Sequence, residues 1–329
     1  MSLSTHDDYL PTLDAFLASW ALADAAVPGG PGGPAIVVLD GVGHAEGVAL
    51  RAALAAKRDE VRHADLLRRL AVARGRLNRA ALHERLGQFN EAARAWWGDG
   101  PEGRAVPEKP LLTAALEKFL RPVRDALRLW ASLDAGPAPA GVVLPLTVGG
   151  EGTFGAAQMQ SLHDAALSLR DEMEAAEFSL KLLRAQRDAL EARVREVLSA
   201  YLKAAASRLG SAHPVVRSLP RLWPLPGRTP KAVAAQGAWD EAAQAARLTW
   251  EASSEESLSH YQVRWCPGEK YDKREEQVAA TVPKDAPREF LSREGLESPG
   301  DEVCYRVYVI LDTDNERGSN TVAVKRQDE

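Results

Sequence analysis

The sequence predicts a multidomain protein of the α plus all-β class, with helices in the first two-thirds of the chain and a β-sandwich in the last third. Three observations predict this order. Residues 156–209 contain neither Gly nor Pro, and their apolar side chains recur every three or four positions, as in long helices that pack along one face. Residues 213–234 form a proline-rich linker, which we expect to be a semi-rigid, extended spacer that holds two domains apart. Residues 235–329 alternate strand-like segments with turn residues, at the spacing of a β-sandwich.

Composition and charge exclude several classes of protein. The 329 residues are 45% hydrophobic and carry a net charge of -5, which is ordinary for a globular chain. No uncharged apolar run reaches the roughly 18 residues of a membrane span. The N-terminus has acidic residues inside its apolar stretch and no basic region before it, unlike a secretory signal. These features predict a cytoplasmic protein without a membrane partner, and export without a signal stays open.

Two stretches of the helical region read as copies of one unit. They are "FLASWALADAAVPGGPGGPAIVVLDGVGHAEGVAL" from Phe16 and "FLRPVRDALRLWASLDAGPAPAGVVLPLTVGGEGTF" from Phe119. Each runs from a helix through a Pro/Gly-rich loop, a short β run and a glycine-rich turn into a long helical segment. We therefore predict helical repeat 1 at 1–100 and helical repeat 2 at 101–212, packed as one elongated bundle with short β-hairpins at its ends.

The long segments of the two copies differ in spacing and in regularity. From Glu46 to Gly98 is 53 residues and from Glu151 to Gly210 is 60, and a difference of one heptad predicts a lengthened helix with the same buried face. In the second copy Arg187 is the single polar interruption of the apolar stripe. A helical hairpin turning there stays open, although the unbroken spacing favours one coiled-coil-like helix.

The first copy is less regular than the second. Gly75 and Gly87 lie inside its apolar pattern and weaken it. Glycine is a poor helix former, so we predict a break or a kink in this segment.

Motifs of catalysis and cofactor binding are weak or missing. Gly150-x-Gly152-x-x-Gly155 matches the dinucleotide fingerprint, but the helical residues that follow it lack the second strand of a βαβ unit. The spacing in the first copy also differs, so we interpret the stretch as a turn. The chain has no phosphate loop, no metal-ligand spacing among its seven histidines and no Gly-x-Ser-x-Gly elbow. We predict no catalytic, cofactor-binding or metal site, and a protein that is not an enzyme.

One stretch of the helical region is strongly basic. Residues 51–85 contain ten Lys and Arg against four acidic residues, whereas the chain from Lys231 onward has 13 basic and 20 acidic residues. Nucleic acid or another anionic partner would suit this basic face. Contact with the acidic C-terminal domain, in the same chain or between subunits, explains the charges equally well. The candidate contacts are Arg58, Arg62, Arg68, Arg69, Arg76 and Arg79.

The C-terminal segment carries a specific resemblance. Trp250 ends the strand "RLTW", Tyr261 and Val263 lie in "YQVRW", and "YRVYV" places Tyr305, Val307 and Val309 in alternation. These residues, over about 90 positions from Gly237 to Lys325, resemble a fibronectin type III domain, an immunoglobulin-like β-sandwich. The resemblance implies a binding or spacer module without catalytic residues. The helical region resembles only uncharacterised bacterial proteins, which implies no function.

In such a sandwich the two cysteines are neighbours. The alternation of the two strands turns Tyr261 and Tyr305 inward, and therefore turns Cys266 and Cys304 to the outer face. The strands are antiparallel neighbours, so the thiols lie close together. Two interpretations stay open, a disulfide and two reduced thiols.

Together these features predict a structural or interaction protein without enzymatic activity. The long apolar stripes predict self-association of the helical bundle into a homo-oligomer, which would display the fibronectin type III module to another protein. The alternative is a protein that binds nucleic acid or another anionic partner through the basic helix face 51–85.

Overall fold

The computed structural model describes residue 3 and residues 5–26, 35–134, 146–147 and 153–327. Contacts divide the chain into two compact units, Met1–Asp59 with Ala185–Glu329, and Glu60–Arg184. The helices are α1 (Tyr9–Ala26), α2 (His44–Trp97), α3 (Pro101–Arg104), α4 (Leu116–Asp134), α5 (Ala156–Leu209) and α6 (Pro214–Arg217). Helices α2 and α5 each contribute to both units, so the unit boundaries differ from the predicted repeat boundaries, which stay a prediction.

The two long segments are each a single helix. Helix α5 runs through Arg187 without a turn, which confirms the single long helix favoured for the second copy. The predicted break in α2 is wrong, because α2 continues through Gly75 and Gly87. A helical glycine costs only about 1 kcal/mol relative to alanine. At Gly75 an added Cβ would lie 3.2 Å from Met173 Sδ, so the missing side chain lets α5 pack closely.

The two long helices begin in the same way. The backbone N–H of Gly43 donates to Glu46 Oε2, and the N–H of Gly155 donates to Gln158 Oε1, each at 2.9 Å. Both contacts satisfy an amide just before the first helical turn, as in a capping box. Both helices have 54 residues, so the predicted one-heptad lengthening is wrong and the additional residues precede Ala156.

The two long helices also end in the same way. Gly98 and Gly210 follow them with φ of 56° and 87°. Each glycine donates its N–H to the carbonyl four residues earlier, at 2.9 Å. Left-handed backbone is the common reason for a glycine after a helix. These matched ends agree with duplication, which itself stays a prediction.

Each unit has a helical core that contains an aromatic stack. In the first unit the ring of Trp20 on α1 stacks on Tyr201 of α5 at 4.3 Å. In the second unit Trp130 on α4 stacks on Phe89 of α2 at 4.9 Å. All four side chains are buried. Phe89 and Tyr201 each lie nine positions before the glycine that follows their helix, Gly98 and Gly210.

The second unit brings α2 and α5 together in antiparallel order. Asp65 of α2 lies 3.8 Å from Arg184 of α5, and Asn78 of α2 donates to the carbonyl of Leu162 at 3.2 Å. Thus a later position on one helix meets an earlier position on the other. None of the helices in the described part of the chain combines the length and apolar character needed to cross a membrane.

The predicted hairpins take different forms in the two copies. In the first copy the described structure has a single antiparallel bridge, Val38 to Val42. In the second copy β1 (Leu146–Thr147) pairs with β2 (Thr153–Phe154) in antiparallel orientation.

The C-terminal region is an antiparallel β-sandwich-like domain. Its strands are β3 (Ala235–Asp240), β4 (Ala245–Trp250), β5 (Leu258–Pro267), β6 (Gln277–Pro283), β7 (Glu289–Ser292), β8 (Glu302–Leu311), β9 (Glu316–Gly318) and β10 (Val322–Lys325). One sheet has the order β3-β4-β7, and the other has the order β10-β8-β5-β6 with β9 beside β8. The core between the two sheets contains Tyr261, Val263, Tyr305, Val307 and Val309. This confirms the prediction that the alternating side chains of these two strands face inward.

The proline-rich segment packs against both parts of the first unit. Leu222 is buried in the helical core. Three residues further on, the N–H of Leu225 donates to the carbonyl of Thr313 in the sandwich at 2.9 Å. Arg228 then pairs with the buried Glu255 at 2.5 Å. The expected separating spacer is wrong, because the buried side chain of Leu222 and the backbone hydrogen bond of Leu225 dock the segment.

Candidate functional site

Two of the six predicted contact arginines make contacts inside the protein. In the first unit Arg58 forms an ion pair with Asp7, and its side chain is only 11% exposed. In the second unit Arg79 donates to the carbonyl of Ala114 at 2.5 Å and lies over the ring of Phe119 at 4.6 Å. Burial lowers the pKa of Arg79 from its ordinary value. Both guanidinium groups therefore stabilise the fold.

The other four predicted arginines lie on α2 in the second unit. Arg68 and Arg69 each approach Asp65 to 3.3 Å, at the i,i+3 and i,i+4 spacings. Arg62 and Arg76 are exposed. Because Asp65 is the single acid between residues 61 and 83 and that stretch has six arginines, this part of α2 stays strongly basic.

An exposed apolar face lies beside these arginines. Leu66, Leu70 and Leu77 of α2 are 45%, 43% and 73% exposed. At 3.6 residues per turn they fall within about 40° of one another around the helix axis. Val61 and Ala64, which are buried, lie on the opposite side of the helix. We call these three residues the leucine face. Sequence reasoning missed it, although the i, i+4, i+11 spacing is a readable signal.

A second exposed apolar face lies on α5 in the same unit. Phe178 and Leu182 are 72% and 50% exposed, whereas Leu180 between them is buried. Four exposed acidic residues lie at positions 171–178, Lys181 is exposed beside Leu182, and Arg170 pairs with Asp171 and Glu174. We call Phe178, Leu182 and these four acids the α5 face. Its charge is opposite to that of the leucine face.

The second unit also contains a cavity of about 360 Å³. Its walls are formed by residues of α2, by residues of α5 and by residues at the start of α4. Three guanidinium groups line it, those of Arg76, Arg79 and Arg170, and no Asp or Glu is among the described residues that line it. The cavity is therefore apolar with a positive rim, and it contains two of the six predicted arginines.

A cluster of ligand-type side chains lies in the first unit. One candidate ligand atom from each of His6, Asp188 and Glu191 lies within 4.8 Å of the others. Nδ1 of His6 contacts Glu191 Oε2 at 2.7 Å. Arg187 lies 2.8 Å from Asp188 Oδ1 and 3.9 Å from Glu191 Oε1, so its guanidinium pairs with both carboxylates and offsets part of their charge. A separation of 185 positions hid this cluster from the sequence.

Arg187 also explains the polar interruption of the α5 stripe. Its side chain is buried and donates to the backbone carbonyl of Arg274, before β6 of the sandwich, at 3.2 Å. Nε2 of His6 contacts the same carbonyl at 3.1 Å. Arg187 therefore joins α5 to the sandwich within the first unit.

The two cysteines occupy directly opposed positions on β5 and β8. Cys266 and Cys304 are register partners, and both are buried free thiols. Cys266 accepts a hydrogen bond from the N–H of Asp272 at 3.3 Å, so the loop that follows β5 covers it. Burial raises the pKa of Cys266 to about 11 and also raises the pKa of Cys304. Both cysteines are free in the structure, and the choice between a disulfide and two reduced thiols stays a prediction.

The glycine motif falls largely outside the described residues. Gly150 and Gly152 both lie outside them. Gly155 precedes α5 and donates its N–H to Gln158, which is the role of a helix cap.

Comparisons with known proteins concern the sandwich. No protein-family model and no curated protein matches the chain. An Fn3-like protein from Clostridium thermocellum is 15% identical, with a TM-score of 0.25, and the match covers 31% of this chain and 98% of that one. Pectate lyase PelI from Erwinia chrysanthemi is 16% identical, with a TM-score of 0.24, over 28% of each chain. Pectate lyase Pel3 from Pectobacterium carotovorum is 13% identical, with a TM-score of 0.24, over 28% of this chain and 27% of that one.

A long helical region followed by a β-sandwich-like region is shown by the structure itself. The prediction that the chain is not an enzyme is contradicted, because pectate lyases are among the similar structures. Missing sequence motifs were its only basis, and we do not retain it.

Proposed function

We propose that this protein is an interaction protein that self-associates through its helical region and displays its β-sandwich to a partner. The observation that carries the proposal is the leucine face, Leu66, Leu70 and Leu77, on a helix whose opposite side is packed. Contiguous exposed apolar side chains on a surface typically mark an interaction site. Full burial of an exposed leucine contributes about 1.5–3 kcal/mol, and these three, which are already partly buried, would each contribute a fraction of that.

The partner that fits the leucine face best is the α5 face of a second copy. Exposed Arg62, Arg74 and Arg76 surround the leucines, whereas the α5 face has four exposed acids around Phe178 and Leu182. Apolar residues would pack in the centre, and opposite charges would meet at the rim. Such complementarity sets the register of an interface and speeds encounter.

The positions of the two faces set the type of assembly. The leucine face lies on the side of α2 away from Val61, and the α5 face lies on the side of α5 away from Leu180. Val61 and Leu180 belong to one buried cluster. The two faces therefore point away from each other within one unit. Pairing them between copies is heterologous, so it continues until a ring closes or a filament forms.

The sandwich supplies the second half of the proposal. We propose that it is a fibronectin type III domain, with three strands in one sheet and a β10-β8-β5-β6 order in the other. This arrangement supports an immunoglobulin-like topology. Such a domain would present its loops as a binding surface.

The compartment we propose is the cytoplasm. Cys266 and Cys304 are register partners and remain unbridged. Reduced thiols in such a position suit a reducing compartment.

Two variants test the self-association. The first replaces Leu66, Leu70 and Leu77 by Gln, and the second replaces Phe178 and Leu182 by Gln. We expect the wild-type chain to assemble beyond a dimer in light scattering after size exclusion, and each variant alone to stop assembling. Because each variant keeps one intact face, an equimolar mixture should form a heterodimer. High salt should weaken that heterodimer by screening its charged rim.

The matched control is Leu111→Gln, which changes an exposed leucine outside both faces and should leave assembly unchanged. A wild-type chain that stays monomeric at micromolar concentration contradicts the proposal. Dimers of the second variant that do not form mixed dimers with the first would instead show pairing between two leucine faces. That result would overturn the heterologous arrangement.

A further inference from the structure

The cavity of the second unit has the features of a ligand site. We propose that it binds a small amphipathic anion, with an apolar body and one carboxylate. Its volume of about 360 Å³ lies at the lower end of the range for small-molecule pockets, about 300–1,000 Å³. A medium-chain carboxylate matches that size.

Apolar side chains from three helices form most of the cavity wall. They are Val72, Leu82, Leu116, Phe119, Leu169 and Met173. Gly75 also lines the cavity, at the point where an added Cβ would lie 3.2 Å from Met173 Sδ. Apolar ligand surface would leave water on entering this space, which is the main source of affinity for such a body.

Polar atoms in the wall supply the recognition of an anion. The buried Nε of Arg79 has no hydrogen-bond partner among the described residues. Leaving a buried donor unpaired costs about 1–3 kcal/mol, and turning the guanidinium of Arg79 toward a ligand carboxylate would remove that cost. Arg76 and Arg170 also line the wall, and Arg170 is already paired with Asp171 at 2.9 Å and with Glu174 at 3.7 Å. A charge-assisted hydrogen bond to a guanidinium is stronger than one between neutral groups.

The absence of acids from the described wall decides the sign of the ligand charge. A cationic amphiphile would meet three guanidinium groups, of which Arg170 is already paired with Asp171 and Glu174, and no carboxylate among the described residues of the wall itself. A neutral amphiphile of the same length would bury the same apolar surface without pairing the guanidinium groups. The contrast between a carboxylate and the matching alcohol therefore isolates the proposed recognition.

Isothermal titration calorimetry of the full chain with decanoate and with decanol tests the proposal. We expect saturable binding of one decanoate per chain, and binding of decanol at least about tenfold weaker because it lacks the charge-assisted hydrogen bond. Decanoate that does not bind, or that binds no better than decanol, overturns the proposal.

Two matched variants then locate the site. Ala115→Trp places a large ring at the cavity wall and should weaken decanoate binding at least about tenfold by filling the space. Ala131→Trp makes the same change at an exposed position of α4 outside the wall and should bind as the wild type does. Equal binding by both variants overturns the assignment to this cavity. Far-ultraviolet circular dichroism checks that both fold, and the decanoate–decanol contrast on the wild type remains decisive if one does not.

Discussion

Arg264 and Glu276 form an ion pair at 2.9 Å inside the β-sandwich-like domain, where both side chains are buried. Arg264 also pairs with Glu316 at 2.5 Å and lies 3.9 Å from the centre of the Tyr308 ring. Burial opposes the charge of Arg264, but the hydrogen bond and field of Glu316 more than offset it, so the pKa of Arg264 is raised. The outer face of this sheet thus contains a paired polar network rather than solvated side chains.

Removing one partner of this buried pair should be costly. Glu276→Gln takes a negative charge from Arg264 and weakens the acceptor that Tyr271 and Tyr308 share. We expect a loss of about 3–5 kcal/mol in the free energy of unfolding, because the guanidinium stays buried with less compensation. Urea denaturation followed by tryptophan fluorescence measures it. The control Glu251→Gln, at an exposed position, should change stability by less than about 0.5 kcal/mol. Equal effects of the two substitutions would refute the assigned role of the network.

The two thiols should be present and unreactive in the folded protein. The thiolate is the reactive form, and burial raises the pKa of both cysteines. We expect iodoacetamide at pH 8 to label neither thiol in the native chain and both in guanidinium chloride without reductant. Intact mass spectrometry counts the labels. Labelling in guanidinium that requires a reductant would mean that the thiols form a disulfide.

Stability should fall at alkaline pH through Cys266. Its pKa is raised from 9.0 to about 11, so the folded state holds the thiol proton to a higher pH than the unfolded chain does. The stability from the neutral thiol is therefore complete below pH 9 and is lost as the pH rises toward 11. A shift of this size corresponds to about 2–3 kcal/mol. We expect Cys266→Ala to lose less stability than the wild type between pH 9 and 11 in urea denaturation. Parallel pH profiles would contradict this.

The guanidinium of Arg187 should exclude a metal ion from its cluster. It is bound by Asp188 and Glu191, and His6 completes the set of ligand-type groups. We expect Zn²⁺ to leave the Tm of the wild type unchanged. In Arg187→Ala, where the carboxylates lose their counter-charge, Zn²⁺ should raise the Tm because carboxylate and imidazole groups are zinc ligands. Differential scanning calorimetry measures the Tm of the wild type and of the variant, each with and without Zn²⁺.

Arg187→Ala also tests the contact between α5 and the sandwich. Without Zn²⁺, Arg187→Ala should lose about 3 kcal/mol of stability because Glu191 remains buried. Arg128→Ala, at an exposed position of α4, is the control and should lose less than about 0.5 kcal/mol.

A wild-type Tm that rises with Zn²⁺ would show that the guanidinium does not keep the metal out.

Sequence patterns predicted the elements whose signals are local. The three-to-four spacing of residues 156–209 predicted α5, and the alternation around Tyr261 and Tyr305 predicted the buried face of the sandwich. Both patterns depend on which side of one element faces a core, and neighbouring residues decide that. The same alternation placed Cys266 beside Cys304.

Other expectations failed where packing outweighs local preference. Gly75 and Gly87 suggested a break in α2, but contacts with other elements keep the helix continuous. The prolines of residues 213–234 suggested a separating spacer, but Leu222 is buried in the helical core. Propensity differences of about 1 kcal/mol are smaller than the free energy of burying a large apolar side chain.

The sequence by itself determined the class of each region, the continuity of α5 and the inward set of the sandwich, because these follow from periodicity along one segment. Only the tertiary structure decided which charged side chains are paired within the protein and which face solvent. In the folded protein Arg58 pairs with Asp7, Arg79 lies in the cavity wall, and His6 contacts Glu191. It also left the leucine face exposed. Each of these outcomes depends on contacts between residues far apart in the chain, which no local pattern encodes.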